Sequence, residues 1–524
     1  MSGAEAAGPE GQAVPVRNRG LITVSIMLAT MMQALDTTIA NVALPHMQGG
    51  LSAAQDQITW VLTSYIVAAA IMTPVTGWIT GRYGVKRILL ISIFGFTASS
   101  VLCGIAMSLG QMVLYRISQG MFGAALVPLS QSVLLDINPK ERHGQAMAIW
   151  GTGVTAAPIL GPTLGGWLTD NYDWRWVFYI NLPVGILAFF GVLTFLHETK
   201  KNRSRSFDWL GFGLLSLGVA SLQLLLDRGE QKDWFGSPEI IVEAVLAGLG
   251  FWTFAVHSLT AEHPFLDPKL PKDRNFATSL VLIFFTGIIL SATMALLPPM
   301  LQGLMNYPVV TAGWVMMPRG IGTLIAMLVV GRAMPYVDTR LLLLAGLGAT
   351  VFSMWEMTGY TLVMDEGPIV WAGIFQGIGL GLIWVPLSAI GFATLAPAAR
   401  AEAASVFSLL RNIGSSIGIS VVETVFARAA QTSHAALATQ VTPFNPAFHL
   451  PAVHQAWDLA TGGGLAAINM EVSRQAEMVA YLDDFKLIMI IAIASTPLLL
   501  LLRRPPRAPG NAAGGADEPA MVME

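Results

Sequence analysis

Charged residues are scarce in this chain. Asp, Glu, Lys and Arg make up 12% of its 524 residues, against about 25% in soluble domains. Hydrophobic residues make up 54%, and the mean hydropathy is +0.61. This composition excludes an ordinary soluble fold and predicts an all-α polytopic membrane protein. The net charge of −3 adds little, and we expect no nucleic-acid partner.

Several chemical motifs are also missing. Cys103 is the only cysteine, so no disulfide can form within the chain. The sequence contains no P-loop and no HExxH motif, so we expect no ATP hydrolysis, no metal and no cofactor. GxSxG occurs once, at Gly414–Gly418, inside an apolar segment rather than at a strand-to-helix turn. We interpret it as helix packing, and we expect the protein not to be an enzyme.

Long apolar segments are what the sequence has in abundance. A membrane-spanning helix needs about 20 mostly apolar residues, and fourteen segments meet this requirement. They are residues 21–45, 58–80, 88–107, 111–135, 145–168, 176–196, 209–226, 239–258, 276–297, 311–334, 341–362, 368–395, 403–427 and 485–502. An even number of spans places both termini on the same side of the membrane.

The connections between these spans differ in charge. Alternate connections, together with the termini, hold about four times as many Lys and Arg residues as the others. Because positive residues accumulate on the cytoplasmic side, we expect both termini to be cytoplasmic.

The sequence also repeats itself. Gly123, Pro128-Leu129-Ser130 and Arg142 recur as Gly381, Pro386-Leu387-Ser388 and Arg400, all offset by 258 residues. Spans 1–6 therefore match spans 9–14, and spans 7 and 8 are an insertion. Transporters built from such repeats place the substrate between the halves, near the middle of the membrane.

The repeat divides the chain into five parts. We expect a cytoplasmic tail at 1–20, an N-terminal six-helix bundle at 21–196, a linker with two inserted helices at 197–275, a C-terminal six-helix bundle at 276–502 and a cytoplasmic tail at 503–524. The second bundle contains a long outer loop at 428–484. An amphipathic stretch near 465–481 predicts either a helix lying on the membrane surface or a surface for a partner.

Span 5 contains five glycines and two prolines between Gly151 and Gly166. In lipid the segment must stay helical or be shielded by protein, and its small residues allow another helix to approach closely. Pro158 and Pro162 add a local kink, so we expect a bent helix pressed against a neighbour within the bundle.

Ionisable residues inside the spans are few, and each needs a partner or a cavity. Asp36 in span 1 and Arg116 in span 4 lie at depths that permit an ion pair, which makes Asp36 a candidate proton site; the alternative is a static structural pair. Arg319 and Glu423 are candidates for the matching pair in the second half, although Glu423 alternatively reaches the membrane surface. Arg411 is a candidate for contact with an anionic substrate or with a helix end.

A short basic turn joins spans 2 and 3. It runs from Gly77 through Arg82, Gly84 and Lys86 to Arg87, and it is a candidate gating loop. The alternative is simple anchoring of the loop on the cytoplasmic side, where Lys and Arg residues accumulate. Asp136 in the next loop on this side is a candidate to brace the turn.

Several of these segments resemble the major facilitator superfamily. Gly151, Gly161, Pro162, Gly165 and Gly166 resemble the fifth-helix antiporter motif of its drug exporters. Leu35–Pro45 and Trp174–Gly185 resemble motifs of the fourteen-helix drug:proton antiporters, and Arg116…Gln119-Gly120 resembles their fourth-helix arginine motif. The turn at Gly77–Arg87 is similar to the superfamily's loop motif but has Gly81 where an acid is usual. Arg411–Gly418, with Arg474–Tyr481, resembles the EmrB-type permeases.

The resemblance implies a major facilitator fold with two six-helix halves plus two inserted helices. It also implies a proton-coupled exporter of hydrophobic or amphiphilic compounds in the inner membrane, with Asp36, Arg116, Glu423 and Arg319 as proton-coupling residues. Permeases of that branch pair with a periplasmic adaptor and an outer-membrane channel. An uptake symporter, a lipid flippase and, with less support, an intramembrane enzyme are the alternatives.

Overall fold

A computed structural model describes residues 18–54, 57–139, 142–198, 206–396, 399–442, 444–446, 457 and 459–503. Within the helices, the side chains of Pro45, Pro158, Ile159, Pro162, Thr163, Asp170, Val309 and Val310 are not described. The predicted tails at 1–20 and 503–524 and the linker around 199–205 lie almost entirely outside the described residues.

Every regular element in the described part of the chain is a helix. The α-helices are α1 (Arg19–Gly50), α2 (Trp60–Met72), α3 (Val75–Tyr83), α4 (Val85–Gly104), α5 (Leu109–Gly123), α6 (Leu126–Ile137), α7 (His143–Asn171), α8 (Trp176–Tyr179), α9 (Asn181–Phe195), α10 (Trp209–Arg228), α11 (Pro238–Thr260), α12 (Arg274–Pro299), α13 (Val309–Ala333), α14 (Thr339–Met357), α15 (Glu366–Ala393), α16 (Arg400–Ala438) and α17 (Gly462–Ser495). Polar side chains cap several of them: Ser108, Asp208, Asp273 and Thr461 each accept a hydrogen bond from a backbone N–H in the first turn.

The described helices account for nearly all of the fourteen predicted spans. Among the described residues, twelve helices are long and apolar enough to cross a membrane, and α2 with α3, bent by 55° at a short break, adds a thirteenth. Helix α7 is 29 residues long and occupies the position of predicted span 5. Its continuity agrees with the expectation that this glycine-rich segment stays helical, and the whole is consistent with fourteen spans.

The two halves share one apolar core at one end of the bundle. This end carries the turn between α3 and α4 and the start of α16, and we call it the basic end. Its core joins Leu89 and Leu134 of the first half to Val330 and Phe407 of the second. At the opposite end the buried apolar residues form separate clusters, one within each half. The halves are therefore closed against each other at the basic end.

The inserted helices lie beside this arrangement. Helix α10 packs against α2 and α16, and α11 packs against α10. Ser416 of the GxSxG sequence donates a hydrogen bond to Gln223 Oε1 of α10 at 2.9 Å, which agrees with its interpretation as helix packing. Asp227 near the end of α10 accepts a hydrogen bond from Thr63 of α2. Helix α10 therefore connects the insertion to both halves.

The last two spans are longer than the sequence predicts. Helix α16 continues to Ala438, eleven residues beyond the predicted end, and α17 begins at Gly462 rather than near residue 485. The amphipathic stretch at 465–481 is thus the first part of α17 and not a separate surface helix. Hydropathy misplaced both boundaries because these extensions are polar enough to resemble a loop while still forming helix.

Candidate functional site

Asp36 and Arg116 form an ion pair inside the first half. Arg116 Nη1 lies 2.6 Å from Asp36 Oδ2, and neither side chain is accessible to solvent. Asp36 lies in the middle of α1 and Arg116 in α5, so the pair joins two helices far apart in sequence. Burying two charges is costly unless they are paired and hydrogen-bonded, and here both conditions are met.

Two amide side chains complete the surroundings of Asp36. Gln119 Nε2 and Asn181 Nδ2 donate hydrogen bonds to Asp36 Oδ1 at 2.8 and 3.0 Å. Gln119 Oε1 also accepts from Arg116 Nη1 at 2.7 Å, so the glutamine bridges acid and base. Asn181 donates in addition to Ser100 Oγ at 2.9 Å. The Asp36 carboxylate of α1 is therefore held by groups from α5 and α9, with Ser100 of α4 behind Asn181.

Aromatic rings and a carbonyl hold the guanidinium of Arg116. Its Nε donates to the Val61 carbonyl at 2.9 Å. Its Cζ lies 4.3 Å from the ring centroid of Tyr65 and 5.7 Å from that of Phe178, both within the range of cation–π attraction. Nη2 has no hydrogen-bond partner among the described residues. The rings offer Arg116 a favourable environment that does not depend on the charge of Asp36.

Asn181, Ser100 and Tyr65 are the functional candidates that sequence reasoning missed. The sequence analysis considered only ionisable residues inside spans, and neutral amides and hydroxyls fell outside that search. The available signal was an asparagine at the start of an apolar helix, where an uncompensated amide is costly to bury. A search for every polar side chain within the spans would have included all three.

The structure does not bring Arg319 and Glu423 together. Arg319 in α13 is buried, and its Nη1 and Nη2 have no hydrogen-bond partner among the described residues. Glu423 in α16 is exposed, and no described cation forms an ion pair with it. The expected pairing of these two residues in the second half was wrong. Arg411 contacts an aromatic ring: its Cζ lies 5.4 Å from the Trp384 ring centroid, and its Nη2 donates to Asn412 Oδ1.

The glycines of α7 face different neighbours. A Cβ at Gly161 would overlap Thr38 Oγ1, and one at Gly165 would lie 3.2 Å from Ile39 Cγ2, so both glycines pack on α1. Gly151 faces Met327 Sδ of α13, which a Cβ would approach to 2.7 Å. Nothing lies within 4 Å of a Cβ at Gly166. Helix α7 thus uses small residues to contact its own half and the other half, as its composition predicts.

The turn between α3 and α4 has the strained geometry that its glycine predicts. Gly84 has φ +95°, a conformation that favours glycine. Glu198, just after α9, accepts a hydrogen bond from the Lys86 backbone N–H at 3.2 Å, and Lys86 Nζ donates to the Leu193 carbonyl at 2.7 Å. Glu198 thus brings a carboxylate to the turn, which has Gly81 where the loop motif usually has an acid.

This turn also belongs to the contact between the halves. A Cβ at Gly77 would lie 2.7 Å from Glu402 Cα of α16. Asp136 does not brace the turn, as the sequence analysis suggested; it pairs with Arg400 of the other half, Oδ1 to Nη1, at 2.8 Å. Arg400 and Asp136 lie at the start of α16 and the end of α6. The sequence did not predict this pairing because the two residues are 264 positions apart.

We expect Asp136→Asn to shift the protein towards a state open at the basic end. The Asp136–Arg400 pair is only partly exposed, and its loss should change the ratio of closed to open forms by roughly tenfold, about 1.4 kcal/mol. Distances between paired spin labels on α6 and α16 would measure the shift. The exchanged variant Asp136→Arg/Arg400→Asp should restore the closed form. Asp483→Asn, which removes an exposed pair with Lys486, is the control, and equal distances in all variants would contradict the expectation.

Comparison with known proteins identifies the family of the chain. The family model described as Major Facilitator Superfamily matches residues 26–419. The chain therefore belongs to the major facilitator superfamily, and it is a multi-pass membrane transporter. This confirms the resemblance seen in its motifs.

Individual proteins similar to this chain include two bacterial resistance and export proteins and one solved transporter structure. The chain is 35% identical over 489 residues to the fatty acid resistance protein FarB of Neisseria gonorrhoeae, covering 92% of this chain and 96% of that protein. It is 37% identical over 429 residues to the multidrug export protein EmrB of Escherichia coli strain K12, covering 81% and 84%. The human organic anion transporter MFSD10 (TETRAN) superposes with a TM-score of 0.57 at 13% identity, covering 90% of this chain and 99% of that one. At that identity it supports the fold alone.

Proposed function

We propose that the protein exports hydrophobic or amphiphilic compounds across the inner membrane in exchange for protons. The observation that carries the proposal is the buried Asp36–Arg116 pair with its amide partners. An acid inside a membrane span is by default a functional site. The relatives are named for multidrug export and fatty acid resistance, which supports export over other transport.

The geometry suggests how a proton is exchanged at Asp36. Protonation neutralises the carboxylate and removes its attraction for Arg116, whose guanidinium then shifts towards the rings of Tyr65 and Phe178. Gln119 and Asn181 donate to one carboxylate oxygen, which leaves the oxygen nearest Arg116 to take the proton. Deprotonation restores the ion pair. Movement of Arg116 towards and away from Asp36 thus couples proton occupancy to the side-chain link between α1 and α5.

The energy available is sufficient for export. One charge that enters down about 150 mV releases about 3.5 kcal/mol, which supports a substrate gradient of a few hundredfold. A single proton site such as Asp36 can therefore drive useful accumulation outside the cell.

The alternatives differ in direction and in substrate. An uptake symporter of the same fold would carry proton and substrate the same way, and a flippase would move lipid between leaflets. Efflux of a compound panel from cells that lack their own pumps, with and without an uncoupler, tests all of these. The proposal expects resistance and efflux that the uncoupler abolishes; accumulation inside the cells would support uptake, and transport of lipid alone would support a flippase.

We also propose that the basic end faces the cytoplasm, as the Lys and Arg distribution favours, and that both termini lie there. The opposite end then faces the periplasm, where α16 and α17 extend beyond the predicted spans. These extensions are the proposed docking site for a periplasmic membrane-fusion adaptor, which would connect to an outer-membrane channel. A helix that only covers the outer rim of the bundle is the alternative.

We expect substitutions on the α17 extension to weaken adaptor binding. Leu465 and Met470 are 49% and 72% exposed, and changing both to Ser removes apolar area from the proposed surface. Co-purification of a co-expressed adaptor should fall several-fold while efflux into the periplasm persists. Tyr336→Ser, an exposed aromatic at the basic end, is the control. Unchanged co-purification of the α17 variant would assign the extension to rim packing.

A further inference from the structure

Among the described residues, the second half contains a buried cation with no counter-charge. Arg319 in α13 is 6% exposed, and both of its terminal nitrogens lack hydrogen-bond partners among the described residues. Gln376 in α15 is fully buried, and neither its amide oxygen nor its amide nitrogen has a partner there. Burial of such groups without partners is expensive. A polar ligand that reaches both would remove this cost.

Arg319 and Gln376 lie on helices that pack closely against each other, α13 and α15. A Cβ at Gly373 would lie 3.6 Å from Arg319 Cβ, and one at Gly377 would overlap the Arg319 carbonyl. Residues three and four apart on a helix share a face, so Gln376 lies on the face of α15 that carries Gly373 and Gly377. Gln376 is therefore placed on the face of α15 that packs against Arg319 of α13.

The internal repeat gives this contact a counterpart in the first half. A Cβ at Gly120 would overlap the Tyr65 carbonyl, just as one at Gly377 would overlap the Arg319 carbonyl. By this packing the Gln119-Gly120 pair corresponds to Gln376-Gly377, at an offset of 257 residues, one fewer than the offset between Gly123 and Gly381. Arg319 takes the place of Tyr65. In the first half Gln119 binds Asp36 of α1. The counterpart of α1 is α12, which has no Asp or Glu anywhere along its length.

Acidic residues of neighbouring helices do not fill the gap. Glu356 of α14 and Glu366 of α15 form no ion pair with Arg319 among the described residues. Both lie near helix ends, whereas Arg319 lies in the interior of α13. The negative group that would complete this arrangement must therefore come from outside the described chain.

We infer that Arg319 and Gln376 bind the carboxylate, or a similar single anionic headgroup, of an amphiphilic substrate. This inference rests on the proposed export function and names a substrate class for it. A guanidinium offers two parallel donors to a carboxylate, and the glutamine amide adds a donor. The first half thus carries Asp36 as the acid that binds the proton, and the second half carries Arg319 as the cation that binds the substrate.

Binding of [14C]dodecanoate to the purified full chain, immobilised in detergent without an ion gradient, tests the inference. Dodecyltrimethylammonium, a cation with the same chain length, is the matched ligand. Arg319→Gln should weaken dodecanoate binding about tenfold or more, which corresponds to about 1.4 kcal/mol or more, and should leave cation binding unchanged. Gln376→Leu should weaken dodecanoate binding less. Arg332→Gln, an exposed arginine on the same helix, should have no effect.

Thermal unfolding provides a second measurement. Without ligand, Arg319→Gln should unfold at the same or a higher temperature than the wild type, because it removes a buried charge that has no partner. Dodecanoate should raise the unfolding temperature of the wild type and not that of Arg319→Gln. A marked destabilisation of the ligand-free variant would show instead that Arg319 is satisfied by a structural lipid or water.

The outcomes separate this inference from the proposed function. If the wild type exports cations but Arg319→Gln affects both ligands equally, or neither, the anion site is wrong and export stands. If dodecanoate binds through Arg319 but no compound is exported in cells, the site stands and the export function is wrong. Dodecanoate binding that anionic phospholipid abolishes in nanodiscs would identify a lipid headgroup, rather than a substrate, as the occupant and would overturn the assignment.

Discussion

Replacing Asp36 with Asn is expected to abolish proton-driven export. Asn cannot take up or release the proton, although its side-chain oxygen can still accept from Gln119 and Asn181. The substrate gradient in proteoliposomes with an imposed pH gradient and membrane potential should fall from a few hundredfold to about onefold. Exchange of labelled for unlabelled substrate, which needs no net proton movement, should persist.

The variant leaves Arg116 without its counter-charge, and loss of one partner of a buried pair costs about 3–5 kcal/mol. Thermal unfolding therefore has to accompany the transport measurement. The double variant Asp36→Asn/Arg116→Gln removes the unpaired charge and should regain stability without regaining coupling. Asp173→Asn, which breaks the exposed pair with Arg175, is the control. Wild-type gradients in Asp36→Asn would show that the buried pair is only structural.

Replacing Gly161 with Val is expected to cripple transport by forcing α7 away from α1. A Cβ at this position would already overlap Thr38 Oγ1, and Thr38 lies about half a helical turn beyond Asp36 on the same helix. Overpacking of this kind costs about 1–3 kcal/mol and would displace the part of α1 that holds the ion pair. We expect a lower unfolding temperature and at least a tenfold loss of transport rate.

Gly166→Val is the matched control for this prediction. It makes the same substitution in the same helix, five residues further on, at a position with nothing within 4 Å of the added Cβ. Both changes carry the same intrinsic helix propensity, so a difference between them isolates the contact with α1. Equal transport in the two variants would show that close approach of α7 to α1 is not required.

Much of the fold could be predicted from the sequence because its causes are local. The lengths of the apolar segments predicted the spans. The recurrence of Gly123 and Pro128-Leu129-Ser130 at a fixed offset predicted the two halves. Small residues in span 5 indicated close helix contact, which Gly161 and Gly165 make with α1. The depths of Asp36 and Arg116 permitted the ion pair that the structure forms.

The remaining features depend on how distant helices meet. Asp136 faces Arg400 across the two halves, and no local pattern selects that partner over the nearby basic turn. Arg319 and Glu423 lie in plausible spans, but helix rotation exposes Glu423 and buries Arg319. Asn181 reaches Asp36 over a separation of 145 residues. Long-range rotation and register, rather than composition, decide these contacts.

The most direct test of the central claim is proton release on substrate binding. In weakly buffered detergent solution with a pH indicator, an exported compound added to the purified wild type should release about one proton per chain, because in an exchanger the substrate-bound form carries no proton on Asp36. Asp36→Asn should bind the same compound and release none. Release of the same number of protons by Asp36→Asn would contradict the account and place the coupling site elsewhere in the chain.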